Sequence, residues 1–81
     1  MTVRLLLFAR YRELLGARHL DLEVREGTTA GDLYGLMEAR EPALAELRPY
    51  VAIAVNREVV GPSHLLTPGD EVAFLQPVSG G

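Results

Sequence analysis

With 81 residues and no cysteine, the chain has room for one small domain but can form neither disulfides nor thiolate metal sites. Its 48% apolar content argues for a packed core, while a net charge of −3 without a basic cluster excludes the footprint of a nucleic-acid binder. No apolar run approaches a membrane span, and residues 5–9 are too few for a signal-peptide core, so a soluble cytoplasmic protein is expected.

Thr2 to Phe8 reads as a strand, apolar on nearly both faces from Leu5 onward and therefore central in its sheet. Ala9 to Leu15 suits a short helix closed by Gly16, with Arg10, Arg12 and Glu13 solvated. From His19 to Arg25 the alternation is strict, with Leu20, Leu22 and Val24 on one face and charged or polar residues on the other. Thr29 with Asp32 resembles a capping box, although Glu or Gln is preferred at the second position. Ala30, Leu33, Leu36 and Met37 then recur at helical spacing, a stripe expected to pack on the sheet until Pro42 ends the helix. One further turn is expected over 43–47.

Val51 to Val55 is a third strand, and Asn56-Arg57-Glu58 a turn into Val59-Val60. Pro68-Gly69-Asp70 forms a second turn, and Glu71 to Gln76 a last strand. Pairing should stop at Pro77, which cannot donate to a ladder. The order predicts an α+β fold, a mixed sheet of about five strands covered on one face by one main helix. The domain is expected to span residues 1–76, followed by a flexible tail over 77–81.

If Val3, Leu5, Leu7, Ile53, Val55, Val72 and Phe74 face the long helix, Leu6, Phe8, Ala52, Ala54, Ala73 and Leu75 fall on the opposite face. A solvated sheet face should be polar. This one is apolar and close to the carboxyl tail. Either the short helix over 9–15 covers it, or it is a docking patch.

Candidates for internal chemistry are few. His19 and His64 have no cysteine or paired carboxylates at ligand spacing, so no metal site is expected. Asp70-Glu71 reads as a solvated pair in a turn rather than an acid–base dyad. Ser79 lacks a positioning base. The glycines at 27, 31 and 35 do not form a phosphate loop, since neither spacing nor a following lysine matches.

The reactive group that remains is the carboxylate of Gly81, on the side-chain-free arm Gly80-Gly81. A carboxylate becomes an acyl donor once ATP adenylates it, after which sulfur or an amine can attack the carbonyl. All eight basic residues are arginine, so a lysine joined to this chain must belong to another protein.

Three segments carry a resemblance. Leu7-Phe8-Ala9-Arg10-Tyr11-Arg12-Glu13-Leu14-Leu15-Gly16 resembles the opening of the molybdopterin synthase small subunits, the MoaD-like sulfur carriers. Val55-Asn56-Arg57-Glu58-Val59-Val60 is similar to their central hairpin, and Leu66 to Phe74 followed by Pro77-Val78-Ser79-Gly80-Gly81 to their end. Gln76 departs from the family, which commonly has the first of two prolines there.

The resemblance implies a ubiquitin-like β-grasp fold and no independent enzyme activity. It implies that an E1-like (MoeB-like) enzyme uses ATP to adenylate Gly81, which a sulfur donor converts to a thiocarboxylate, with no cofactor bound by this chain. A MoaE-like large subunit, supplying the catalytic lysines, would then use two such sulfurs to make molybdopterin from cyclic pyranopterin monophosphate in a heterotetramer. By position, Gly81 carries the sulfur and Gly80 gives flexibility. Phe8, Val59 and Leu75 belong to the docking surface, Arg12 to a salt-bridging contact, and Pro77, Val78 and Ser79 to the inserted tail. Carriers for thiamine, tRNA thiolation or cysteine synthesis share fold and tail but are usually shorter and lack the Arg12-Glu13-Leu14 helix. A ubiquitin-like protein modifier and an inert binding module are the other classes.

Overall fold

The computed structural model describes residues 1–76. Strand β1 (Thr2–Leu7) leads through helix α1 (Ala9–Leu15) into β2 (His19–Glu23), then α2 (Ala30–Arg40), the single turn α3 (Leu44–Leu47) and a 3-10 turn over Arg48–Tyr50. Strands β3 (Ala52–Val55), β4 (Glu58–Val60) and β5 (Glu71–Leu75) follow. They form one sheet in the order β2-β1-β5-β3-β4. Only the central β1–β5 pair is parallel; the other pairs are antiparallel. This is the expected β-grasp arrangement.

Period-two patterning governs which sheet face is buried. Val3, Leu5, Leu7, Leu22, Ile53, Val55, Val72 and Phe74 join one core with Ala30, Leu33, Tyr34 and Met37 of α2. The stripe on α2 differs from expectation at one place. Leu36 is 49% exposed, and Tyr34 is buried instead. The sheet crosses α2 so that position 34 looks inward, where the Tyr34 hydroxyl donates to the carbonyl of Leu44 at 2.6 Å and its ring tilts against Phe74. Helix α1 turns Tyr11 into this same core, edge-on to Phe74 with centroids 5.9 Å apart. The short helix therefore closes the end of the helix-side layer and does not cover the opposite sheet face.

Local chemistry sets the element ends. Gly16 caps α1 at φ 69, the left-handed conformation that glycine adopts without a Cβ penalty. Asp32 completes the capping box: the Thr29 side chain accepts from the Asp32 amide and the Asp32 carboxylate accepts from the Thr29 amide, both at 3.0 Å. The same end of α2 is clamped to the 61–66 loop, because the Ala30 amide donates to the His64 carbonyl and the Gly31 amide to the Pro62 carbonyl, each at 2.9 Å. A Cβ on Gly31 would meet Pro62 Cβ at 2.9 Å, so glycine permits this approach. Glu41, ahead of Pro42, is extended at φ −136 and ends α2.

The β3–β4 connection is tighter than expected. Asn56 and Arg57 alone form the turn, both at positive φ (50 and 73), and Glu58 already pairs with Val55. Asp70 is not solvated but 7% exposed. One carboxylate oxygen accepts from Asn56 Nδ2 at 2.9 Å and Thr67 Oγ1 at 3.0 Å, and the other from the Thr67 amide at 2.8 Å. Burial opposes the charge, but the hydrogen bonds from Thr67 and Asn56 outweigh it and hold the carboxyl below its ordinary range. Asn56 in turn accepts from the Glu71 amide at 3.0 Å, so one buried carboxylate ties the hairpin turn to the start of β5. No helix among the described residues is long and apolar enough to cross a membrane.

Asp70→Ala should lower the unfolding free energy by about 2–3 kcal/mol, since three donors lose a charged, buried acceptor. A carboxyl lowered in the folded state contributes stability above its unfolded value, about 3.9, and loses it as pH falls through the folded value. Urea titrations from neutral pH to pH 2 check this: the gap between wild type and variant should narrow on acidification. A pH-independent gap would contradict it.

Candidate functional site: an apolar sheet face at the tail exit

The ladder registers align side chains on the face opposite α2. His19 pairs with Leu6, Leu6 with Ala73, Ala73 with Ala54, and Ala54 with Val59, one line across all five strands. Beyond it, toward the C-terminal end of β5, Leu75 pairs with Ala52. The register that sets Leu7 beside Phe74 brings Phe8, the next residue, level with Leu75. Toward the other end the face turns polar. Arg4 pairs with Asp21 and Glu71 in the ladders, and its guanidinium donates to the Asp21 carboxylate at 2.9 Å. The apolar half thus lies at the end of the sheet where the chain leaves β5.

This half is open. Phe8 is 43% exposed and Val59 71%, while Leu6, Ala52, Ala73 and Leu75 are half-buried. Ala54 is buried beneath its neighbours. The buried helix residues Tyr11, Leu33, Tyr34 and Met37 all join the core on the other side. Adjacent strands lie ~4.8 Å apart, so Phe8 and Val59, three strand spacings from each other, bound a patch about 14 Å wide.

At the β1 edge the patch runs into a hollow of about 350 Å³ lined by Leu6, Leu7, Phe8, Arg12, Arg18 and His19. Arg12 and Arg18 are exposed there. The side-chain ion pairs among the described residues engage Arg4, Arg10 and Arg48 instead. Two cations therefore border an apolar surface, an arrangement that suits a partner combining apolar side chains with carboxylates. Another hollow, of about 1010 Å³ along Gly31, Gly35, Leu36 and Pro62, lies by α2 and away from β5's end.

The predicted site residues Phe8, Leu75, Val59 and Arg12 are therefore brought to one end of one face. Pro77, Val78, Ser79, Gly80 and Gly81 lie outside the described residues. Gln76 is exposed and follows β5 directly, beside Leu75. Arg18 and His19 are additions that the sequence reading did not place at the site. His19 could have been found only by knowing that it opposes Leu6, and register is not visible in alternation alone. Among the described residues no group of His, Cys, Asp or Glu could hold a metal ion.

The family model described as the ThiS family matches residues 5–81. This chain belongs to the ThiS family. It is 39% identical over 82 residues to the molybdopterin synthase sulfur carrier subunit of Homo sapiens, covering 98% of this chain and 93% of that one. It is 35% identical over 92 residues to the small archaeal modifier protein 3 of Haloferax volcanii, covering all of both chains. Among solved structures, the putative molybdopterin converting factor subunit 1 from Pyrococcus furiosus superposes with a TM-score of 0.86 at 30% identity, covering 96% of this chain and 99% of that one. The resemblance to MoaD-like proteins is thereby established, and with it the ubiquitin-like character of the fold.

Face and core should respond differently to substitution. Phe74→Ala, at a fully buried ring, should cost about 3–5 kcal/mol. Phe8→Asp, outside the core, should change the thermal midpoint by only a few degrees, as expected for about 1 kcal/mol or less in a domain this small. Thermal melts of both variants check this. Equal destabilisation would mean that Phe8 supports the fold rather than a surface.

Proposed function

We propose that this chain is the sulfur carrier subunit of a molybdopterin synthase, with Gly81 as the sulfur-bearing residue. The observation that carries the reading is the meeting of an open apolar face and the chain's exit from β5, in a ThiS-family member whose sequence runs on to Gly80-Gly81. Curated relatives named as molybdopterin synthase sulfur carrier subunits support it, as does the presence of α1 between the first two strands.

The chemistry starts at the Gly81 carboxylate. An E1-like enzyme would transfer AMP from ATP onto a carboxylate oxygen, releasing pyrophosphate and making the carbonyl carbon electrophilic. Sulfur from a donor system then attacks that carbon, AMP departs, and a thiocarboxylate remains. The apolar patch, with Leu75 and Ala73 inside it and Phe8 and Val59 at its borders, holds the carrier on a large subunit. Arg12 pairs with a carboxylate at the margin, and Pro77, Val78 and Ser79 lead the glycines into the partner's active site. There the sulfur passes to cyclic pyranopterin monophosphate. This chain contributes the sulfur and its presentation, with catalytic groups on the large subunit and the reaction in the cytoplasm.

A second reading is favoured by one observation, the full-length similarity to a small archaeal modifier protein. In that case an amine on a target protein, rather than a pterin precursor, receives the activated Gly81.

Two variants separate presentation from chemistry. Deleting Gly81 should abolish molybdopterin formation by the reconstituted synthase while leaving large-subunit affinity within about twofold, because the face that drives docking is untouched. Phe8→Asp should weaken that affinity by ~100-fold or more, as an unpaired charge at a buried contact costs about 3–5 kcal/mol. Titration calorimetry and a product assay read both. Full product formation without Gly81 would sink the carrier reading, and product-free conjugation to target lysines would install the modifier reading.

A further inference from the structure

We propose that the apolar face continues around the β4 edge of the sheet into a notch that receives one large apolar side chain of the large subunit. The inference rests on the carrier reading and adds to it the place where the partner is anchored.

The notch exists because β4 is short. In the β3–β4 ladder Ile53 pairs with Val60, a register that sets Pro62 opposite Val51. Proline has no N–H to donate, so the ladder stops at Val60 and the chain turns toward α2. There the Pro62 carbonyl accepts from the Gly31 amide at 2.9 Å. Past Val60 the edge of the sheet therefore steps in from β4 to β3. The step opens a hollow of about 370 Å³, lined by Val51, Ile53 and Val60 from the sheet and by Gly31, Tyr34 and Pro62 from the helix side.

Two observations say what fits it. The notch shares Ala52 and Val59 with the open face, and Ala52 pairs with Leu75, so it lies one strand from where the chain leaves β5. A partner seated on the face is already at its mouth. The charged group that lines it, Arg48, is engaged: its guanidinium donates to the Glu38 carboxylate at 2.7 and 3.2 Å and lies 5.1 Å over the Tyr34 ring. An entering carboxylate would compete with Glu38 for that fork, and an ammonium would meet the like charge of Arg48. An uncharged apolar side chain gains from the valine and isoleucine walls without either cost. The hollow suits one Phe, Leu or Met, and an anchor of that kind in a desolvated pocket is where interface energy concentrates. The cationic hollow at the β1 edge and this notch at the β4 edge thus flank the face, one suited to a carboxylate and the other to an apolar side chain.

Val60→Phe fills the notch from its own wall. In titration calorimetry against the large subunit it should lower affinity by roughly tenfold or more, the loss expected when an anchor is shut out of its pocket. A thermal melt establishes that the variant is folded. A second measurement needs no variant: in the wild-type complex, with labelled methyl groups on the full chain, Ile53 and Val60 should show NOEs to an aromatic or aliphatic side chain of the large subunit. Affinity of folded Val60→Phe within about twofold of wild type, or a complex in which only the methyls of Val59 and Leu75 meet the partner, would overturn the notch and leave the carrier reading standing. Self-association lost in Val60→Phe with large-subunit affinity unchanged would assign the notch to a second copy, which overturns it as well. A wild-type chain without affinity for the large subunit would remove the carrier reading and this inference together.

Discussion

The parallel pairing of β1 with β5 is the constraint on which the rest of the molecule depends. Consecutive strands in small domains usually pair as antiparallel hairpins, and a parallel pair needs a long crossover. Here nearly the whole chain is that crossover. The pairing sets Leu7 beside Phe74 and thereby makes the core continuous under α2. It also sends β1 and β5 out of the sheet at the same end, so that Phe8 and Leu75 are neighbours where the tail begins. The same alignment leaves Met1 at the opposite end. The open apolar face and the point where the chain leaves β5 both follow from one register.

Holding that register is the task of polar contacts at the other end of the sheet. The Arg4 amide donates to the Asp70 carbonyl at 2.9 Å, which fixes the start of β5 against β1. The Asp70 carboxylate binds Thr67 and Asn56, and Asn56 binds Glu71 by both backbone and side chain. A buried charge satisfied by three donors is costly to disturb, which makes the turn a rigid anchor. On the helix side Arg48 lies 5.1 Å over the Tyr34 ring while its guanidinium donates to Glu38 at 2.7 Å, tying the 3-10 turn to α2. Polar rigidity at one end and apolar exposure at the other give the molecule its direction.

Much of this was legible before any coordinates. Strict alternation in His19–Val24 and the apolar run in β1 fixed the burial of Leu22, Val24, Val3 and Leu5 through period alone, and Gly16 and Pro42 marked helix ends through backbone sterics. What alternation cannot show is which strands are neighbours. That is why His19 and Arg18 entered the site only with the register, and why Asp70 read as a solvated turn residue. Its partner Asn56 lies far off in sequence, and a carboxylate is expected outside unless its donors are known. Tyr34 displaced Leu36 for a related reason: tertiary packing selected one edge of the helical stripe, and the Leu44 carbonyl made a buried hydroxyl tolerable there. Residues 77–81 were readable only as a sequence, through the side-chain-free Gly80-Gly81 and the lack of a rival constellation for chemistry elsewhere in the sequence.

The central claim is that the fold exists to present one carboxylate for activation by others. Intact mass of the full chain, taken after incubation with ATP, a sulfur donor system and an E1-like enzyme, tests it most directly. The account predicts replacement of a single oxygen by sulfur, localised to Gly81 by fragmentation and dependent on ATP. An unchanged mass with an activating enzyme shown to be competent on another carrier, or sulfur found at any other residue, would contradict it.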